Sequence, residues 1–266
     1  MFHITDHIVC FRAHNPSPMT LDGTNCYIVS GRTAAGLTNA LLIDVGPDEP
    51  AHVAAIAAYL REREWRLQGI LLTHTHRDHT DGLESFHRLT AAPVHAFKSG
   101  YDHPLRDGDQ VALGDRALVV IHSPGHAGDC VCFYDEREGV LFTGDTVLGV
   151  GTSVIAPPEG DVSAYLDALQ RLKSFPAKVI APGHGPIITR PRAKLDEYIE
   201  HRLMRERQII AELQSGPKTI ADLVAEIYKE VDKSLHRAAA WSVSAHLERL
   251  RQAGKVIAEA DQWRLR

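Results

Sequence analysis

Short apolar runs alternate with segments of helical period through roughly the first two thirds of the chain. Asn25–Ser30 and Ala40–Val45 are apolar stretches joined by a glycine-containing turn region, which predicts two strands. In Pro50–Glu64, the residues Val53, Ile56, Ala57 and Leu60 recur at helical spacing and predict a helix with one apolar face. Gly69–Thr73 reads as a short buried strand that stops at a cluster of histidines, and Asp81–Leu89 returns to helix. Further strands are predicted near Val94–Phe97, Ala117–His122, Val131–Tyr134, Val140–Thr143 and Lys178–Ala181, with a helix over Val162–Leu172. Such alternation implies a layered α/β fold with helices outside the sheets.

The pattern changes near residue 190. Arg190-Pro191-Arg192 opens a long helix that continues to about Gln214, where Gly216-Pro217 breaks it. Thr219–Tyr228 predicts a short amphipathic helix with Thr219 as its N-cap. A longer helix over about Leu235–Ala253 ends at Gly254, and Lys255–Glu259 and Gln262–Leu265 read as two short strands around Ala260-Asp261. Helix, helix and small hairpin, in that order, suggest a winged-helix module. The expected division is therefore 1–190 and 191–266.

Charge divides at the same place. Residues 190–266 hold 15 Lys and Arg against 12 Asp and Glu, a net of +3; residues 1–189 hold 14 against 22, a net of −8. The whole chain carries −5, which argues against a protein that coats nucleic acid nonspecifically. Its four cysteines, Cys10, Cys26, Cys130 and Cys132, form no C-x-x-C pair and lie in apolar stretches, so they read as buried thiols. The N-terminus lacks the basic start and apolar run of a signal peptide, and no apolar stretch approaches the roughly 20 residues that span a bilayer. These features point to a cytoplasmic protein without membrane segments.

Histidine is unusually frequent, with 16 residues. His74-Thr75-His76-Arg77-Asp78-His79 follows a strand and precedes a helix. On a strand, residues two apart share a face, so His74 and His76 can hold one metal while Asp78 and His79 face another. Imidazole and carboxylate together suit zinc, with iron or manganese as alternatives. Three more donors follow strand ends among Gly and Pro: His126 in Ser123-Pro124-Gly125-His126, Asp145 in Phe142-Thr143-Gly144-Asp145, and His184 in Ala181-Pro182-Gly183-His184. Any one alone could be a turn residue or a helix cap. All of them after strands of one α/β domain point to a shared cleft.

H-x-H-x-D-H, then P-G-H, G-D and G-H in this order resemble the metallo-β-lactamase superfamily over roughly residues 15–190. The resemblance implies a four-layer αββα sandwich and two Zn²⁺ per chain. It implies His74, His76 and His126 on the first metal, and Asp78, His79 and His184 on the second, with Asp145 bridging. Two ions sharing a hydroxide would supply the nucleophile, and Asp78 would orient it as a catalytic residue. Asp44, after Leu41-Leu42-Ile43, resembles the family's I-D-x-G aspartate and would support a liganding imidazole. Two positions depart from the common pattern: Asp81 stands where Gly is usual, and Ala127 where Thr often follows the histidine. Neither is a ligand position; Asp81 alters the pocket edge or pairs with Arg77.

For substrate contact the sequence offers Asn25, in Leu21-Asp22-Gly23-Thr24-Asn25, and Thr152 and Ser153, in the glycine-rich stretch after Asp145. The C-terminal pattern Ser244-Ala245-His246-Leu247-Glu248-Arg249-Leu250, leading to Gly254-Lys255-Val256, resembles the β-lactamase-like protein 2 branch, which carries a winged helix. That resemblance implies a hydrolase acting on single-stranded RNA phosphodiesters. A thioester or lactone hydrolase of small molecules, like the glyoxalase II relatives, is the second expectation. The third is a nucleic-acid-binding regulator, with Arg237, Arg249, Arg251 and Lys255 meeting phosphates. An oligomer is compatible with the sequence.

Overall fold

The computed structural model describes all 266 residues. In chain order the elements are β1 (Phe2–Thr5), β2 (Ile8–Arg12), β3 (Asn25–Arg32), β4 (Thr38–Ile43), α1 (Pro50–Glu62), β5 (Arg66–Leu71), α2 (Arg77–Thr80), α3 (Leu83–Thr90), β6 (Val94–Ala96) and β7 (His103–Pro104). They continue with β8 (Gln110–Leu113), β9 (Arg116–His122), β10 (Val131–Asp135), β11 (Val140–Gly144), α4 (Val162–Leu172), β12 (Val179–Pro182) and α5 (Pro191–Leu213). The C-terminal part adds β13 (Lys218–Thr219), α6 (Ile220–Ile227), α7 (His236–Gln252), β14 (Val256–Glu259) and β15 (Gln262–Leu265). No helix is long and apolar enough to cross a membrane.

The chain divides into two units that do not follow sequence order. The first comprises Met1–His122, Asp129–Gly151 and Pro176–Pro191; the second comprises Ser123–Gly128, Thr152–Phe175 and Arg192–Arg266.

The first unit holds two mixed sheets, a seven-stranded one ordered β1 to β7 and a five-stranded one ordered β12-β11-β10-β9-β8. Alternate residues of β3 show why the seven-stranded sheet is covered on both faces. Tyr27 and Val29 join Leu118, Val120, Phe133 and Phe142 in a core between the sheets. Cys26 and Ile28 face the other way, where Val53, Ile56 and Leu60 of α1 and Phe86 of α3 cover them. A sheet buried on both faces reads as a continuous apolar run, which is why β3 and β4 were legible. The hairpin β1–β2 and the edge strand β8 were not anticipated. β1 and β8 are four residues each and partly exposed, and the buried run Ile8–Phe11 of β2 takes its place in the sheet only through its pairing partners.

In the second unit, α6 and α7 enclose Leu223, Val224, Val243, Leu247 and Leu250 with Ile209 and Leu213 of α5. β13, β15 and β14 form a three-stranded sheet, the wing. Thr219 caps α6 through a capping box: its hydroxyl accepts from the Asp222 N–H at 3.1 Å, and Asp222 Oδ2 accepts from the Thr219 N–H at 2.9 Å. All four cysteines are buried and none forms a disulfide.

Candidate metal centre

β5 ends at Leu71, and the chain then turns through His74 and His76 into α2, a single helical turn that carries Asp78 and His79. Asp145 follows β11 and His184 follows β12, neighbouring parallel strands. These three strand ends bring one donor atom from each of Asp78, His79, Asp145 and His184 into a cluster within the first unit.

Its spacing is informative. His79 Nε2 lies 3.3 Å from Asp145 Oδ1, 3.6 Å from Asp78 Oδ2 and 3.4 Å from His184 Nε2. His184 Nε2 lies 3.1 Å from Asp78 Oδ2 and 3.3 Å from Asp145 Oδ1. Ligand atoms about 2.0–2.1 Å from a tetrahedral ion stand roughly 3.3–3.4 Å apart, so this donor set fits one ion. Gly183 is needed for it: a Cβ there would stand 2.6 Å from Asp145 Oδ1 and 2.8 Å from His79 Cε1.

The far nitrogen of each imidazole is engaged. His79 Nδ1 is 2.8 Å from Asp44 Oδ2, and His184 Nδ1 is 3.2 Å from the Gly23 carbonyl. A carboxylate or carbonyl on Nδ1 holds the proton there and turns the Nε2 lone pair towards the cluster. Asp44, itself at φ 55°, also accepts from the Thr73 N–H and hydroxyl, both at 2.8 Å. The same hydroxyl lies 3.1 Å from His74 Nδ1, so one aspartate reaches both histidine pairs. His74 Nε2 is 3.1 Å from His76 Nδ1. Between them Thr75 donates to Asp129 Oδ2 at 2.7 Å, and Lys98 donates to Thr75 Oγ1 at 3.2 Å. His126 belongs to the second unit, where its Nδ1 is 2.8 Å from the Val154 carbonyl.

Charge is balanced inside the cluster. Burial opposes ionisation of all four groups, yet it is outweighed: Asp44, then Asp145, holds His79 well above its ordinary value, and Asp145 with Asp78 holds His184 up at about 9. In return, the two imidazoles overcome burial to hold Asp145 well below the usual carboxylate range, and Asp78 below it. A divalent cation held by these donors would have to displace the protons that the two imidazoles carry in its absence. The four side chains differ in access: His79 and His184 are 0% and 1% exposed, Asp145 13% and Asp78 31%.

The residues expected to touch substrate are placed as follows. Asn25 is buried, and its amide donates to the carbonyls of Pro182 and Gly185 at 3.0 and 2.9 Å while Arg12 Nε donates to its Oδ1 at 2.8 Å. It latches the loop that carries His184, assisted by Tyr27, whose hydroxyl donates to the Pro182 carbonyl at 2.6 Å. Ser153 is buried and Thr152 half-buried. Asp81 pairs with Arg77, Oδ1 to Nε 3.3 Å, at the exposed edge of α2. Thr73 and Asp129 escaped the sequence reading, because nothing in a lone Thr or Gly-Asp marks a partner 29 or 54 residues away.

The metallo-β-lactamase superfamily model matches residues 19–184, and the β-lactamase-associated winged helix domain model matches residues 219–263. The chain belongs to the metallo-β-lactamase superfamily, with its α/β sandwich fold, and is a metal-dependent hydrolase. Within that superfamily it is similar to the β-lactamase-like protein 2 homolog of Caenorhabditis elegans, 33% identical over 265 residues, covering 95% of this chain and 87% of that one. It is also similar to the atrochrysone carboxyl ACP thioesterase of Aspergillus chevalieri, 34% identical over 238 residues, covering 88% and 74%. A metallo-β-lactamase family protein from Thermus thermophilus shares the fold across 99% of this chain and 100% of its own, at TM-score 0.82 and 24% identity.

Proposed function

We propose that this chain is a binuclear zinc hydrolase of small ester or thioester substrates. The observation that carries the reading is the tetrahedral spacing of the four donor atoms of Asp78, His79, Asp145 and His184. In this proposal His74, His76 and His126 hold one zinc, Asp78, His79 and His184 hold the other, and Asp145 serves both. His126 enters by its place in the motif order and because the Val154 carbonyl on Nδ1 leaves Nε2 as the lone-pair nitrogen.

When bound, zinc supplies hydroxide at neutral pH, lowering the pKa of water from about 15.7 to about 7. Asp78 is the most exposed of the clustered donors, so it is the group positioned to meet the attacking water and carry its proton. Asp44 and Thr73 keep the imidazoles oriented, and Asn25 holds the His184 loop. The substrate class rests on two supports. The thioesterase name of a relative 34% identical is one. The other is the net charge of −8 on residues 1–189, which disfavours long polyanions. We further propose residues 1–190 as the catalytic domain and 191–266 as the winged-helix domain.

A second reading, cleavage of single-stranded RNA, is favoured by one feature of α7. Trp241 is 38% exposed with the Arg237 guanidinium 5.1 Å from its ring centroid, an arrangement suited to stacking a base. Both readings are tested by one panel of acyl thioesters, lactones and fluorogenic single-stranded RNA. Thioester turnover that is lost in Asp78→Ala, with RNA left intact, is expected; RNA cleavage lost in Asp78→Ala, with no thioester turnover, would replace the first reading by the second.

A further inference from the structure

We infer that Arg202, on the first helix of the C-terminal region, is a positioning residue for the His126 imidazole. The inference rests on the proposed role of His126 as a metal ligand. Arg202 is the largest of the fully buried side chains, 2% exposed on α5. A buried guanidinium is expensive to keep unless it is well paired, so its partners indicate its use.

Those partners converge on the two flanks of His126. On one flank, Arg202 Nη2 donates to the Ser153 carbonyl. The next carbonyl along, that of Val154, is the one 2.8 Å from His126 Nδ1. The two oxygens belong to consecutive peptide planes, so pinning the first limits rotation of the second. On the other flank, the guanidinium carbon lies 5.0 Å from the ring centroid of Tyr165, a fully buried residue of α4. Tyr165 backs directly onto the residue before His126. A Cβ on Gly125, which sits at φ +138°, would stand 2.4 Å from the Tyr165 Cα. The Gly125 carbonyl also accepts from the Asp161 N–H at 2.9 Å, at the N-cap of α4.

One side chain therefore braces both the acceptor that sets the His126 tautomer and the aromatic ring behind the His126 backbone. Groups that hold a metal-ligating imidazole from behind typically change metal affinity about 10–100-fold when removed. Here the Val154 carbonyl is that group, and Arg202 acts through it from one peptide plane further out, which gives α5 a part in the metal chemistry.

The test is zinc binding by the full chain, measured by competition with a chromophoric chelator, with total metal counted after dialysis. Arg202→Met, which acts through the Val154 peptide, is expected to weaken one of two zinc sites by about 10-fold, the low end of that range, leave the other unchanged, and shift the His126 Nδ1–H resonance. Arg202→Lys keeps the charge but not the fork, and is expected to weaken the same site less; it replaces Arg202→Met should that variant not fold. Arg249→Met is the structural control, because it breaks the half-buried pair with Glu206 without touching Ser153; both zinc affinities are expected to hold. Equal weakening in Arg249→Met and Arg202→Met would overturn the inference, as would unchanged zinc binding in Arg202→Met while His126→Ala loses one ion. If His126→Ala itself keeps both ions, the ligand assignment fails and the role of Arg202 falls with it.

Discussion

His79 and Asp44 form an ion pair sealed from solvent, Nδ1 to Oδ2 2.8 Å, with side-chain exposures of 0% and 2%. The carboxylate fixes the imidazole from the side away from the donor cluster. Asp44→Asn keeps the shape and removes the charge. Zinc affinity is expected to fall about 10–100-fold, with loss of hydrolytic rate at limiting zinc and recovery at high zinc. Unchanged affinity in a chelator competition would show that Asp44 serves the fold alone.

Gly183→Ala places a methyl group within 3.0 Å of both Asp145 Oδ1 and His79 Cε1. The donors must spread to admit it, so the tetrahedral spacing is lost. The expected outcome is at least one ion fewer per chain on metal analysis, with far-UV circular dichroism unchanged. Full metal content in the variant would contradict the assignment of the cluster.

Metal removal has a stability signature of its own. Zinc that binds the folded chain and not the unfolded one adds about 2.7 kcal/mol when free metal is about 100 times its Kd. A chelator is expected to lower the melting temperature and abolish hydrolysis, and added zinc to restore both. In a variant lacking the donors of Asp145 and His184, chelator and zinc should no longer move the melting temperature through this cluster.

His201, on α5, is held down to about 4 by burial first and then by Arg202, Arg205 and His246. In the unfolded chain it titrates near about 6.5, so between these values the unfolded chain binds more protons. Its contribution is therefore full above about pH 6.5 and is lost as pH falls towards 4. His246, lowered chiefly by burial, acts in the same sense. Urea melts across this range should show stability falling with acidity, and His201→Gln should flatten the slope. A slope identical in wild type and variant would exclude His201 as its source.

Leu247 is fully buried in the α6–α7 core. Leu247→Ala should cost about 2–5 kcal/mol in thermal or urea unfolding while the Asp78, His79, Asp145 and His184 donors keep their zinc. Loss of that ion in a variant that is still folded would contradict the local character of the cluster.

Most of the donor set could be read from the chain because its parts are local. His74 to His79 lie on one turn, and His126, Asp145 and His184 each sit among Gly and Pro at the end of an apolar run. The strand ends before His74, Asp145 and His184 are legible because burial of successive residues leaves an uninterrupted apolar signal, whereas β9, before His126, alternates. What supports the donors was less legible. Asp44 was found through its strand-end pattern, but Thr73, Asp129 and Arg202 act across tens of residues and carry no local mark. The hairpin β1–β2 has little local mark: β1 is four partly exposed residues, and the apolar run of β2 is placed in the sheet by pairing with β3. In α6 the capping box was half visible: Thr219 was read as the cap, while the reciprocal bond from Asp222 emerged only in three dimensions.

The second unit draws Ser123–Gly128 and Thr152–Phe175 from the middle of the chain and completes itself only with Arg192–Arg266. Protein synthesis runs in one direction, so those two segments leave the ribosome long before the helices they pack with. The loop bearing His126 meets Val154, Asp161 and Tyr165 as they are translated but waits for Arg202 of α5 to complete its surroundings. A nascent chain stalled near residue 190 would carry His74, Asp78, His79, Asp145 and His184 without the packing that completes His126, which makes assembly of the proposed metal site a late event in the life of each molecule.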